Sequence, residues 1–111
     1  AFGSDWFVST AEPFAQMETA ITRRGAYGHP SPALNPEEKI SVQSAIEAFT
    51  INAAFVNKME NDTGSIEVGK LADLIVLDQN IIDIEPSMIS DTKILLTLFG
   101  GEPVYGDNEG F

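Results

Sequence analysis

Apolar side chains at helical spacing mark the first third of the chain. Phe14, Met17 and Ile21 recur three and four residues apart, which predicts a helix with one apolar face. Pro13 suits the first turn of that helix, because the N–H that it lacks would have no partner there. Gly25, the first residue of a stretch rich in Gly and Pro, provides a natural stop.

Closely spaced helix starts occupy the middle of the chain. Asn35–Glu38 combines a capping residue, a first-turn proline and two acids, all favourable at a helix amino end. Ser41 and Thr50 can each cap a further helix. We therefore expect short consecutive helices that meet at angles. Their predicted apolar contacts are Val42, Ala45, Ile46 and Phe49 in one helix, and Ile51, Ala54, Phe55 and Met59 in the next.

The last third of the chain has the short apolar runs and turn residues of β-structure. Leu74–Leu77 is a continuous apolar run of strand length, which predicts a strand buried on both faces. Gly100 and Gly101 separate two further runs and predict a hairpin. Helices followed by about four strands make an α+β fold. The predicted strands are Ser65–Val68, Leu74–Leu77, Lys93–Phe99 and Glu102–Tyr105, with a helical turn near Pro86–Ile89 and an acidic tail over 106–111.

The composition is that of a globular protein with a strong acidic balance. Of 111 residues, 43% are hydrophobic and 21% are charged, which argues against disorder. The formal net charge of −11 disfavours a nucleic-acid partner or an anionic membrane, because phosphate binding needs clustered Lys and Arg. Arg23 and Arg24 fit the solvated end of a helix. No apolar run reaches the roughly 18 residues that span a bilayer.

Cysteine is absent, and histidine occurs once. The absence of cysteine excludes disulfides, thiolate-bound zinc and a cysteine nucleophile within these residues, and it fits a cytoplasmic protein. His29 lies in a Gly/Pro loop, where we expect a surface role, since a zinc or iron site generally needs two or more imidazoles. The abrupt start at Ala1 is typical of an end produced by expression design or proteolysis.

Asp5 is the carboxylate with the most unusual neighbours. Apolar residues on both sides of it predict a buried strand that Asp5 interrupts. An acid at the end of a buried strand needs a partner to offset its desolvation. Two interpretations stay open at this point: an aspartate that caps a turn through backbone N–H groups, and a catalytic carboxylate. The apolar neighbours are Phe2, Trp6, Phe7 and Val8.

Several segments resemble the amidohydrolase superfamily, in the order in which the family has them. Gly3–Val8, followed by Pro13–Gln16, looks like the last barrel strand and the next helix of the YtcJ-like branch, whose members resemble N-substituted formamide deformylases. Thr50–Ala54 and Thr63–Asp78 resemble the family's exit from its barrel. Gly101–Tyr105 is similar to its closing hairpin. The matches cover nearly the whole chain, and Thr63–Asp78 is the most specific of them.

The resemblance implies the end of a TIM barrel, (β/α)8, followed by part of a small β-sandwich-like domain. Residues 1–60 would supply the terminal strand and helices of the barrel, and residues 61–111 the β-sandwich-like portion. In the family, the aspartate after the last strand contacts a divalent metal, for which zinc is expected, and acts as base for the attacking water. That position is Asp5, with Ser4 and Trp6 beside it in the substrate pocket. The implied activity is hydrolysis of a non-peptide C–N bond in a small amide or formamide.

The sequence also departs from the family pattern. Phe7 stands where the branch usually has proline, and the family's His-x-His pair, bridging lysine or glutamate and later histidines do not occur in these residues. We therefore expect the 111 residues alone to be inactive and to hold no metal. The alternative is a non-catalytic α+β module that binds a partner or a second copy of itself, since a lone barrel strand leaves apolar side chains uncovered. Those side chains are Phe2, Trp6, Val8, Phe14 and Met17.

Overall fold

The computed structural model describes residues 1–106, in which helices precede a small antiparallel sheet. This order confirms the predicted α+β class, while residues 107–111 of the predicted acidic tail lie outside the described residues. None of the described helices is long and apolar enough to cross a membrane. The helices are α1 (Pro13–Thr22), α2 (Val42–Phe49) and α3 (Ile51–Val56), with 3₁₀ helices at Pro36–Glu38 and Pro86–Asp91; the strands are β1 (Leu74–Leu77), β2 (Ile94–Phe99) and β3 (Glu102–Tyr105).

Helix α1 forms as its apolar spacing predicts. Its apolar face, made of Phe14, Met17 and Ile21, is buried, so the expectation that Phe14 and Met17 are left uncovered is wrong. The predicted stop at Gly25 is wrong, because the helix is already capped at Arg23, which takes a left-handed φ of 59°. The backbone N–H of Arg23 closes the last turn on a carbonyl four residues earlier, at 2.8 Å. Its Nε donates at 2.9 Å to a carbonyl of the following loop, which ties the strained residue in place.

The middle of the chain forms short helices as predicted. Of the three predicted capping residues, only Ser41 makes a side-chain cap. The hydroxyl oxygen of Ser41 accepts the N–H of Ser44 at 3.0 Å and caps α2. Thr50 separates α2 from α3 but does not cap α3, because its hydroxyl donates back to the carbonyl of Ile46 at 2.7 Å. Asn35 opens only a 3₁₀ helix and makes no side-chain cap.

Helix α3 is held against a tight turn at Gly64. Ala54 is buried as predicted, whereas Phe55 and Met59 are exposed, so their predicted contacts are wrong for this chain. Gly64 has a φ of 90°, and a Cβ there would lie 2.7 Å from the Cβ of Ala54. The turn therefore needs glycine both for its backbone conformation and for its closeness to α3.

The segment after Gly64 is a polar turn and not the strand predicted over Ser65–Val68. Lys70 Nζ lies 2.6 Å from the hydroxyl of Ser65 and 3.3 Å from Glu67 Oε1. Hydrogen bonds from Ser65 and then from Lys70 lower the pKa of the Glu67 carboxyl below its ordinary value. Contacts within the segment thus take the place of a ladder with a neighbouring strand.

The sheet runs β1–β2–β3, with both pairs antiparallel. Gly100 and Gly101, with φ of 58° and 90°, form the two-residue turn predicted between β2 and β3. Asp73 braces this end of the sheet, since its carboxylate accepts the Gly100 N–H at 2.8 Å and the Thr63 hydroxyl at 3.2 Å. The predicted burial of β1 on both faces is wrong, because Ile75 is 48% exposed.

The core lies between α1 and the 3₁₀ helix Pro86–Asp91, which confirms the helical turn expected there. Ile89 of that helix is fully buried. Glu18 of α1 is also buried, and its carboxylate accepts the N–H of Ser90 at 2.8 Å. The two residues are 72 positions apart, so the core joins the beginning of the chain to its last third. The buried apolar cluster consists of Phe14, Met17, Ile21, Ala45, Ile81 and Ile89.

Candidate active-site turn

Residues 1–8 form an exposed turn, so the buried strand predicted there is wrong for this chain. The Val8 N–H donates to the Asp5 carbonyl at 2.8 Å, and Asp5 has a left-handed φ of 50°. Trp6 is 71% exposed, and Phe7 and Val8 are exposed as well. A strand needs a neighbour for its N–H and C=O groups. The sheet found within residues 1–106 lies at the other end of the sequence and does not reach this segment.

Ser4, Asp5 and Trp6 lie side by side on this turn. Asp5 is exposed and Ser4 half-buried. Between residues 1 and 106 no hydrogen bond reaches the Asp5 carboxylate, so the turn-capping role considered for it is not found; the turn uses the Asp5 carbonyl instead. Aspartate tolerates the left-handed conformation better than most residues, since its short polar side chain bonds locally. The Asp5 side chain is therefore open to solvent on this turn.

Phe2 anchors the start of the turn on α2. Its N–H donates to the carbonyl of Ala48 at 3.1 Å. Its ring stands edge-on to the ring of Phe49, with centroids 5.8 Å apart, which is a favourable geometry for an aromatic pair. One backbone hydrogen bond and one aromatic contact thus fix the chain just before Asp5.

Glu12 and Gln16 anchor the other side of the turn at the start of α1. The two carboxylate oxygens of Glu12 accept the N–H groups of Phe14 at 2.6 Å and Ala15 at 2.8 Å, and the negative charge suits this end of the helix. Gln16 Nε2 donates to the carbonyls of Thr10 at 3.1 Å and Glu12 at 3.0 Å. Sequence reasoning missed both residues, although an acid directly before a first-turn proline signals the cap.

Tyr27 reaches the same cap from the loop after α1. Its hydroxyl donates to Glu12 Oε2 at 3.2 Å, and its backbone N–H donates to Ser90 Oγ at 3.1 Å. Partial burial, and then the negative charge of Glu12, raise the pKa of the Tyr27 phenol above its ordinary value. A phenol is protonated at neutral pH even without this shift, so Tyr27 is the donor in its contact with Glu12. Through this residue the start of α1 is connected to the 3₁₀ helix of the core.

One ligand suited to a divalent metal is present on the turn. Carboxylate oxygens such as those of Asp5 bind zinc and other divalent cations. Across residues 1–106, however, no three His, Asp or Glu side chains come together in a group that could hold an ion. His29 is exposed, and its Nδ1 accepts the N–H of Ser31 at 3.3 Å, which confirms its surface position. A single carboxylate does not make a metal site, so a metal centre at Asp5 would need further ligands.

The chain is similar to a known protein family and to individual proteins from bacteria and plants. Residues 1–105 match the model of the amidohydrolase family. N-substituted formamide deformylase of Arthrobacter pascens is 33% identical over 101 residues, which cover 91% of this chain and 18% of that protein. Protein LONG AFTER FAR-RED 3 of Arabidopsis thaliana is 37% identical over 106 residues, which cover 95% of this chain and 18% of that protein. The chain thus spans about a fifth of the length of the curated relatives it matches.

A solved structure shares the fold. The crystal structure of an amidohydrolase from Thermotoga maritima MSB8 matches 93% of this chain and 21% of its own length, with a TM-score of 0.62 and 21% identity. At this identity the likeness concerns the fold alone. It shows that this order of helices and antiparallel strands occurs as one part of a larger protein.

Proposed function

The chain belongs to the amidohydrolase family, and from this premise we propose that the whole protein is a metal-dependent hydrolase of non-peptide C–N bonds. The observation that carries the proposal is the family match over residues 1–105, with the open Asp5 carboxylate near its start. The relative named N-substituted formamide deformylase supports a formamide or related small amide as substrate, and with it the YtcJ-like branch. The 111 residues alone are expected to be inactive.

In this proposal the chain is the end of a larger barrel enzyme. Residues 1–60 supply the last strand and helices of the TIM barrel, and residues 61–111 part of a small β-sandwich-like domain. A complete barrel takes about 200 residues or more, so most of it must come from outside these residues. The exposure of Trp6, Phe7 and Val8 supports this division, because contiguous large apolar side chains normally contact another surface.

Asp5 is the proposed general base. Active sites of TIM barrels lie at the carboxyl ends of the strands, which is where the proposal sets Asp5. A divalent metal bound at this site, with zinc expected, would lower the pKa of the attacking water. The Asp5 carboxylate accepts a proton from the attacking water and returns it to the leaving nitrogen, which the breaking C–N bond makes basic. Ser4 and Trp6 flank the carboxylate and contact the substrate.

The proposed function is tested on the full-length protein. We expect elemental analysis of the purified protein to find a bound divalent metal. We also expect release of free amine from N-substituted formamides or related small amides, measured by a fluorogenic amine assay. A metal-free preparation that hydrolyses these compounds at the same rate contradicts the metal-dependent mechanism. A metal-loaded preparation that releases no amine from any of them contradicts the substrate class.

The isolated chain supports a second proposal, that it associates with itself. Large apolar side chains are exposed at both ends and in the middle of the described chain, and such surfaces drive association in water. We expect the weight-average mass of the 111-residue chain, measured by light scattering, to rise with concentration. A monomeric mass over the whole concentration range contradicts self-association. The exposed side chains include Phe2, Trp6, Phe7, Val8, Phe55, Ile66, Val68, Phe99 and Val104.

A further inference from the structure

Gln16 links α1 to the segment that follows Asp5. Its Nε2 donates to the carbonyl of Thr10 at 3.1 Å and to the carbonyl of Glu12 at 3.0 Å. The N–H of Glu12 in turn donates to the hydroxyl of Thr10 at 3.2 Å. One amide group of the helix thus holds two successive points of the chain that returns from the Asp5 turn.

The orientation of this amide is fixed by its surroundings. Turning the Gln16 side chain over would place Oε1 against the two carbonyl oxygens that Nε2 now contacts, and oxygen acceptors repel one another. In the present orientation Oε1 is buried and has no hydrogen-bond partner among the residues described. In this orientation Nε2 donates two hydrogen bonds to the returning chain, whereas Oε1 accepts none within residues 1–106.

Packing does not support the turn in the place of this amide. A cavity of about 360 Å³ lies between the turn and α1. Phe2, Gly3 and Ser9 line it on the side of the turn, and Gln16 and Thr19 on the side of the helix. The turn is therefore not closely packed on α1 across this gap, and Gln16 contacts the returning chain beside it through the carbonyls of Thr10 and Glu12. Directed contacts thus lie on both sides of Asp5, at Phe2 before it and at Gln16 after it.

We propose that Gln16 is a positioning residue for the Asp5 turn: its amide fixes the returning chain at Thr10 and Glu12, and this anchor limits the movement of Asp5 and Trp6. The inference rests on the proposed function for its catalytic consequence, because it is Asp5 that acts on the substrate. The proposed effect of Gln16 on the order of the turn does not depend on the proposed function and can be measured without an activity assay.

The order of the turn is measured through Trp6, the sole tryptophan of the 111 residues. Gln16→Glu keeps the shape of the side chain but removes both N–H donors, and Gln16→Met removes all polar atoms. We expect both variants to lower the steady-state fluorescence anisotropy of Trp6, while the far-UV circular dichroism keeps its helical signal. Gln43→Met, at an exposed position of α2, is the matched control and leaves the anisotropy unchanged. Unchanged anisotropy in both Gln16 variants overturns the proposal.

The catalytic consequence is measured on the full-length, metal-loaded protein. A displacement of about 1 Å costs on the order of 100-fold in rate, so we expect Gln16→Glu to lower kcat by roughly 10- to 100-fold with KM changed less than about threefold. Gln16→Lys restores a donor and should regain part of kcat. If the lower anisotropy is found but kcat is unchanged, the positioning role is overturned. If the wild-type protein hydrolyses no C–N bond, the proposed function fails, and the anisotropy result still decides the structural part.

Discussion

Replacement of Asp5 by Asn in the full-length, metal-loaded protein is expected to lower the rate of C–N bond hydrolysis by roughly 10²- to 10⁴-fold. The amide of asparagine cannot accept the proton of water at neutral pH, so the loss falls on kcat. Asparagine has nearly the same shape as aspartate and also tolerates the left-handed φ of 50° at this position. The substitution therefore removes the base and leaves the turn in place. Amine release under saturating substrate measures the effect.

The control for this experiment removes one negative charge at a position that is not proposed to take part in the reaction. Asp62→Asn changes an exposed carboxylate in the turn after α3 and is expected to keep the wild-type rate. Elemental analysis of both variants shows whether the metal is retained. Near-normal turnover of Asp5→Asn with metal bound would rule out Asp5 as the base. Loss of metal together with loss of activity would instead show that Asp5 acts mainly as a ligand.

Replacement of Glu18 by Ala is expected to destabilise the 111-residue chain by roughly 2–4 kcal/mol. The carboxylate is buried and accepts the N–H of Ser90 at 2.8 Å, so truncation leaves a buried donor without a partner and a cavity beside α1. An effect of this size is a large part of the total stability of a small domain. Urea denaturation followed by circular dichroism, at a concentration low enough to limit association, measures it.

Two further substitutions define what Glu18 contributes. Glu18→Gln keeps an oxygen acceptor of the same length and is expected to lose clearly less stability than the alanine variant. Glu47→Ala removes an exposed glutamate of α2 and should change stability by no more than about 0.5 kcal/mol. Equal stability of the Glu18→Ala and Glu47→Ala variants would contradict a structural role for the buried hydrogen bond.

The elements that the sequence predicts correctly are those with local causes. Helix α1 follows from the spacing of its apolar residues, and the β2–β3 hairpin follows from Gly100 and Gly101. The predicted strands around Asp5 and over Ser65–Val68 are wrong because a strand depends on a neighbour, and neither segment has one within residues 1–106. An apolar pattern indicates that side chains are favoured to be buried, but it does not show whether another segment is present to bury them.

The same distinction applies to the candidate site. Asp5 is predicted from a contiguous motif, since its neighbours Ser4 and Trp6 stand beside it in the sequence. The roles of Glu12 and Gln16 were missed although their contacts are local, whereas the contacts of Tyr27 cross sequence distances that a motif does not record. Tyr27 meets the cap of α1 across 15 positions, and it meets Ser90 across 63. Only the folded chain brings such groups together.

The hydrogen bond between Glu18 and Ser90 also sets an order of events in biosynthesis. Its partners are 72 positions apart, and the apolar face of α1 packs against the same late segment. A ribosome that adds about 5–20 residues per second makes the partners of α1 roughly 4 to 14 seconds after the helix itself. During that interval the helix lacks the part of its cover that Ile89 supplies, and this part of its apolar face is open to chaperones and to neighbouring nascent chains. Slower translation of residues 23–89 would lengthen this exposure and lower the yield of folded protein.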